Sequence, residues 1–209
     1  VKHTEAVDVC DPDAVRAAVE RSRTHAKIAH VVHCAGVLRV GPAEEMSPED
    51  YRLMMEVNYL GSVHMTLATL GDLRHASEQG GASTLLLVCS VSGLRGFPLL
   101  AGYCASKFAV LGFGQALRSE LKGTGVDLRV LCPPPGDTPM VQSLDELPAV
   151  YTLSRLFSAE EIVRKALKGL RGTGWLMFTD FNSKAMRWAD RLLPSVVDGI
   201  VNRASRARD

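Results

Sequence analysis

Tyr103 and Lys107 stand four residues apart in GYCASKFAVLGFGQAL (102–117), a spacing that puts both on one face of a helix. A phenol titrates near ~10 and is a weak base at neutral pH. A nearby ammonium favours the phenolate and lowers that value. Such a pair could exchange a proton with a substrate oxygen while a hydride moves at the attached carbon. Most tyrosine–lysine pairs at this spacing do nothing chemical, so a further group must hold the oxygen. Ser90 closes the apolar run STLLLVCS thirteen positions before Tyr103, which leaves enough chain for a loop to fold back over one rim.

The elements that must position these groups alternate. HTEAVDV (3–9) reads as a strand, and the following helix opens with Asp11 as N-cap and Pro12 in its first turn. IAHVVHCAG (28–36) reads as a second strand. SPEDYRLMMEVNYLGSVHMTLATLGDLRHA is a long helix or bent helix pair capped by Ser47, with Pro48 at its first position. The spacing predicts strands at STLLLVCS (83–90), VDLRVLCP (126–133) and GWLMFT (174–179). Helices are expected from Tyr103 to about Lys122 and over SAEEIVRKALKGL, and an amphipathic tail closes the chain. Apolar strands alternating with helices imply an α/β fold with a parallel sheet covered on both faces. Ligands of such sheets bind beyond the carboxyl ends of the strands, where Asp8, Cys34–Gly36, Ser90 and the 133–138 segment all fall.

HCAG (33–36), VNYLG with Asn58, VCSVSG with Ser90, YCASK and CPPPGDTPM together resemble the short-chain dehydrogenase/reductase family in order and spacing. The resemblance covers essentially the whole chain and implies a doubly wound, Rossmann-like parallel sheet, a single partial domain over 1–209. It implies Tyr103 as general acid/base, Lys107 as its pKa-lowering partner and a ribose ligand, Ser90 as the group positioning the substrate oxygen, and Asn58 as part of a proton path. The family's spacing favours Ser90 over the nearby Ser92. The resemblance also implies cofactor contacts from Asp8, Val9, Cys34, Ala35, Gly36, Tyr103, Lys107, Pro133, Pro134 and Thr138. His33 and Cys34 stand where the family commonly has two asparagines, and Pro134 where it has glycine. The implied activity is reversible carbonyl–alcohol oxidoreduction with NADP(H) favoured over NAD(H), on an apolar or long-chain 3-oxo substrate. A non-catalytic dinucleotide-responsive regulator or scaffold on the same fold is the alternative. The PP-x-x-DTP pattern resembles the 3-ketodihydrosphingosine reductase branch. The long helices over 51–76 and 103–122 would pair copies into a homodimer or homotetramer.

No glycine-rich phosphate-binding turn precedes HTEAVDV, so the family's first two βα units have no counterpart here. An N-terminal segment supplying them is therefore expected, and IAHVVHCAG should otherwise form an exposed apolar edge. The chain has 209 residues and a formal net charge of +1, which points to neither nucleic acid nor an anionic membrane as partner. No apolar run is long enough to span a bilayer, and VKHTEAVDV lacks the features of a signal peptide. Five cysteines (Cys10, Cys34, Cys89, Cys104, Cys132) without metal-type spacing suit a reducing, cytoplasmic compartment. They read mainly as buried filler. His33 reads as structural, Trp175 and Trp188 as packing, and RASRARD as a solvated, frayed end.

Overall fold

A computed structural model describes residues 3–144, 147–148, 151 and 155–206. Four parallel strands form the sheet: β1 (His30–His33), β2 (Ser83–Val88), β3 (Val126–Leu131) and β6 (Leu176–Met177), side by side in that order. Val31, Leu85, Leu87, Leu128 and Val130 share one buried cluster on one face. That face is covered by α3 (Gly61–Glu78) and α4 (Ala101–Glu120). Leu86 and Leu131 face the other way and pack with Ala166 of α6 (Ala159–Gly169). Burial on both faces explains why these strands read as apolar runs without alternation.

Capping fixes the helix starts where the sequence places them. Asp11 accepts hydrogen bonds from the Asp13 and Ala14 amides at 2.9 and 3.1 Å, opening α1 (Pro12–Arg23). Ser47 accepts from the Asp50 amide at 3.1 Å and opens α2 (Pro48–Met54). The long helical stretch continues through a wide π-type turn over Met55–Leu60 into α3. A short two-stranded sheet, β4 (Gly136–Asp137) with β5 (Phe157–Ser158), and α5 (Pro139–Gln142) sit beyond β3. Two further helices, α7 (Phe181–Leu192) and α8 (Pro194–Arg206), follow β6.

Four expectations are corrected. HTEAVDV forms no strand: residues 3–7 are largely exposed, and no strand among the described residues lies beside them to complete a ladder. Trp188 is mostly exposed rather than packed. Cys34 is exposed, because its side chain alternates away from that of buried His33. Residues 203–206 continue α8 instead of fraying, while 207–209 of that tail lie outside the described residues. The expected apolar edge is present: among the described residues β1 has a neighbour on one side only, and Val32 is 57% exposed.

Candidate active site

The site is built at the carboxyl rim of β1, β2 and β3. Tyr103 and Lys107 occupy the first two turns of α4, and both are buried. Ser90 ends the β2 segment in extended conformation and accepts a hydrogen bond from the Ser92 amide at 3.1 Å, opening a 3₁₀ turn over Val91–Gly93. Its hydroxyl lies near enough to the Tyr103 phenol to oppose the rise in that group's pKa. The Lys107 ammonium lies 5.7 Å from the Tyr103 ring centre and donates to the Val88 carbonyl at 3.2 Å. Ser92, the competing serine, is fully buried beneath this turn. Ser90 is therefore the hydroxyl that meets the phenol.

Asn58 owes its position to the wide turn. A π-type turn inserts one extra residue into the helical ladder and re-aims the side chains around it. Asn58, fully buried there, accepts from the Val37 amide at 2.8 Å and donates to the Val37 carbonyl at 3.0 Å. The same amide donates to Ser106 Oγ at 2.8 Å, and Ser106 in turn donates to the Tyr103 carbonyl at 2.7 Å. The chain after HCAG, the wide turn and the start of α4 are thus one polar network. Sequence reading missed Ser106, although it stands inside YCASK, because it touches no reacting atom and acts through Asn58.

HCAG passes close over these groups. A Cβ at Gly36 would come 3.1 Å from Asn58 Oδ1 and 3.5 Å from Lys107 Nζ, so the backbone can lie this near the ammonium because the residue is glycine. Ala35 is half-buried beside it; Cys34, though its surface is exposed, has protein packed around its thiol that raises its pKa, while Lys107 opposes that shift. Asp8 and Val9 lie further along. Asp8 turns back on the Cys10 amide at 2.9 Å, and the Val9 carbonyl contacts His64 Nδ1 at 2.9 Å. Val9 also packs so closely on Gly61 that a Cβ there would come within 2.8 Å of it. Pro133 accepts from the Val91 amide at 3.1 Å, tying the proline segment to the Ser90 turn. Pro134 is buried, and the Thr138 hydroxyl reaches only the Gly136 carbonyl of its own loop at 3.5 Å.

Electrostatically, the phenol departs from the lysine-lowered value expected from sequence. Burial raises the Tyr103 pKa, nearby Tyr151 adds to the rise, and the Ser90 hydroxyl opposes it. Burial lowers Lys107. His33 is held down to about 4, by burial first and by Lys107 second. At neutral pH Tyr103 therefore carries its proton. Beside the turn that Ser90 opens lies a cavity of about 400 Å³, lined by Val91, Ser92, Phe97, Tyr151, Met186 and Val197 among others, but not by Ser90, Tyr103 or Lys107. Asp180 lines it too: one carboxylate oxygen caps α7 through the Ser183 amide at 2.9 Å, and the other is buried without a partner.

A parallel α/β sheet whose carboxyl rim gathers serine, tyrosine, lysine and asparagine is the architecture of a dinucleotide-fold oxidoreductase class. The short chain dehydrogenase family model matches residues 3–148, and the chain belongs to that family. An uncharacterized oxidoreductase of Bacillus subtilis (strain 168) is 34% identical over 131 residues, 63% of this chain and 45% of that protein. A 3-dehydrosphinganine reductase of Arabidopsis thaliana is 30% identical over 183 residues, 85% of this chain and 55% of that protein. The chain thus spans about half the length of these curated relatives. A short chain dehydrogenase from Burkholderia cenocepacia J2315 in complex with NADP superimposes with a TM-score of 0.79 at 23% identity, covering 93% of this chain and 76% of that one. A 3-ketoacyl-(acyl-carrier-protein) reductase from Brucella melitensis complexed with NADH gives 0.72 at 26% identity, covering 83% and 74%.

Proposed function

We propose that this chain carries the proton-transfer half of a reversible carbonyl–alcohol oxidoreductase that uses a nicotinamide dinucleotide. The carrying observation is the meeting of Ser90, Tyr103 and Lys107 at one rim, with Lys107 5.7 Å from the Tyr103 ring centre and Ser90 acting on the phenol's pKa. The residues present fit such a cofactor: the proline segment tied to the Ser90 turn would face its nicotinamide half, and the HCAG turn its adenosine half. When bound, the dinucleotide supplies the hydride. Ser90 and Tyr103 grip the substrate oxygen by hydrogen bonds, and Tyr103, protonated at neutral pH, delivers its proton as charge builds there. Lys107 holds positive charge beside the site, and Asn58 keeps its helix and the HCAG turn in register.

The apolar cavity beside the Ser90 turn supports an apolar or long-chain 3-oxo substrate. Relatives named as 3-dehydrosphinganine reductases and a structural relative holding NADP support the reductase branch and NADP(H) over NAD(H). Exposed Leu67 on α3 and Phe108 on α4 support pairing of copies through these helices. Five free cysteines support a reducing cytoplasm. The test is Tyr103→Phe, assayed by NADPH oxidation with a long-chain 3-oxo ketone. Turnover should fall by about a thousandfold or more while cofactor retention on a dye column is kept. Undiminished turnover would refute the mechanism. No oxidation by the unaltered chain across a panel of ketones would favour a dinucleotide-responsive scaffold.

A further inference from the structure

The two C-terminal helices present an apolar surface that the core does not use. On α7, Phe181, Trp188 and Leu192 recur at i, i+7 and i+11, one stripe of the helix, and are 80%, 53% and 71% exposed. Leu193, between the helices, and Val196 and Ile200 of α8 are each more than half exposed. The opposite sides face inward: Ser183, Val197 and Val201 are buried, and Met186 and Ala189 pack on their cluster. These six side chains are therefore a surplus, not the unavoidable edge of a packed face. Scattered exposed apolar residues need no explanation, but a contiguous patch marks an interaction surface.

Charge indicates what covers it. Lys184, Arg191 and Arg203 are exposed along the same two helices, and among the described residues none pairs with a carboxylate. The helices' acidic groups are occupied elsewhere. Asp190 and Asp198 both bind Arg95, which is mostly buried, and Asp180 caps α7. The exposed side thus combines a Trp/Phe/Leu stripe with unneutralised cations, although the whole chain's net charge is only +1. An apolar stripe with basic flanks is the composition of a helix lying in the headgroup region of a bilayer, where tryptophan settles and lysine and arginine meet anionic lipid. A protein partner matching it would need acidic groups in a ring around an apolar centre, and nothing in the structure calls for that arrangement.

The cavity ties this surface to the site. Ile200 is at once a wall of the cavity beside the Ser90 turn and a member of the exposed stripe, so the cavity borders the patch. We propose that α7 and α8 form a peripheral docking surface for anionic phospholipid bilayers, and that an apolar substrate enters the cavity from the lipid phase. The docking half stands without the catalytic reading; only the entry route rests on it.

The test is co-sedimentation of the full chain with phosphatidylcholine vesicles, with and without phosphatidylserine as a minor component. Binding should require phosphatidylserine, be roughly a hundredfold weaker without it because three cations are involved, and fall with added salt. Trp188→Glu combined with Leu192→Glu should abolish it, and Lys184→Glu with Arg191→Glu should weaken it at least tenfold. All four positions are exposed, so an unchanged unfolding midpoint checks that the variants remain folded. No binding, or equal binding to phosphatidylcholine alone, overturns the proposal. So does a concentration-dependent dimer by ultracentrifugation that Trp188→Glu dissolves, which would give the face to a second copy. Vesicle binding reads no turnover, so an inactive chain that binds would sink the catalytic reading alone.

Discussion

Replacing Asn58 by alanine tests whether the polar network is what holds the site together. Asn58 is fully buried and makes three side-chain hydrogen bonds, two to the backbone of Val37 and one to Ser106. Each such bond contributes a net ~0.5–1.5 kcal/mol, and a buried partner left unmade costs about as much again. The three net contributions alone therefore come to about 3 kcal/mol, a large share of the ~5–15 kcal/mol that stabilises a typical domain. With a urea slope of about 2 kcal/mol/M, the unfolding midpoint should fall by about 1.5 M. Ser106→Ala removes one of the same bonds, so the two changes should not add. The double variant should lie about 1 kcal/mol closer to the wild type than the sum of the single effects. A midpoint shift under about 0.3 M, or strict additivity, would refute the network as the element joining the 37 segment to α4.

Two more outcomes follow from the same structure. Arg95→Met removes the shared anchor of Asp190 and Asp198, so amide exchange over 181–206 should quicken about tenfold while β2 and β3 amides hold their rates; uniform exchange across the chain would contradict the anchor. His33 is buried, is held down to about 4, and its Nε2 has no partner. A folded pKa below the unfolded ~6.5 contributes stability that is present above pH 6.5 and lost as pH falls toward 4, at most about 3 kcal/mol in this case. His33→Asn should flatten that part of the urea midpoint–pH curve, and an unaltered slope would show that other groups carry it.

Much of this was legible in the residues, for reasons that differ by element. The four strands and their parallel order follow from apolar runs that only a doubly covered sheet can bury, and the caps at Asp11 and Ser47 act through local chemistry. Tyr103, Lys107 and Ser90 could be placed on one rim because their carriers are regular elements of fixed rise. HTEAVDV shows where β-propensity stops: it describes the segment, but a strand needs a neighbour, and among the described residues no strand lies beside it, as the missing βα units imply. Asn58 was named, yet the wide turn that aims it was not, since a π-type insertion leaves no mark in the periodicity. The Arg95 anchor joins residues about a hundred positions apart, and no local pattern announces such a pair. Trp188 was misplaced because an amphipathic helix tells which residues share a stripe, not which stripe meets the core.

The raised phenol alters how the tyrosine–lysine pair should be understood. The i,i+4 spacing suggests an ammonium that pulls the phenol toward neutrality, but burial acts on both groups and disfavours both charges: Tyr103 moves up and Lys107 down. The two shifts are consistent, because one dry site penalises phenolate and ammonium alike. A phenol above its usual range stays protonated at neutral pH, so the phenolate that would act as base is scarcely populated. The protonated phenol suits reduction, in which the substrate oxygen gains negative charge as hydride arrives and must be quenched by a donor already in hydrogen-bond reach. Oxidation asks the reverse, a phenolate at the start, and that state needs an additional favourable interaction near Tyr103 that the Ser90 hydroxyl alone does not supply. On the proposed function, the starting protonation state of this pair is the one that ketone reduction needs, and Lys107 stands beside the HCAG turn, donating to the Val88 carbonyl and 5.7 Å from the Tyr103 ring centre.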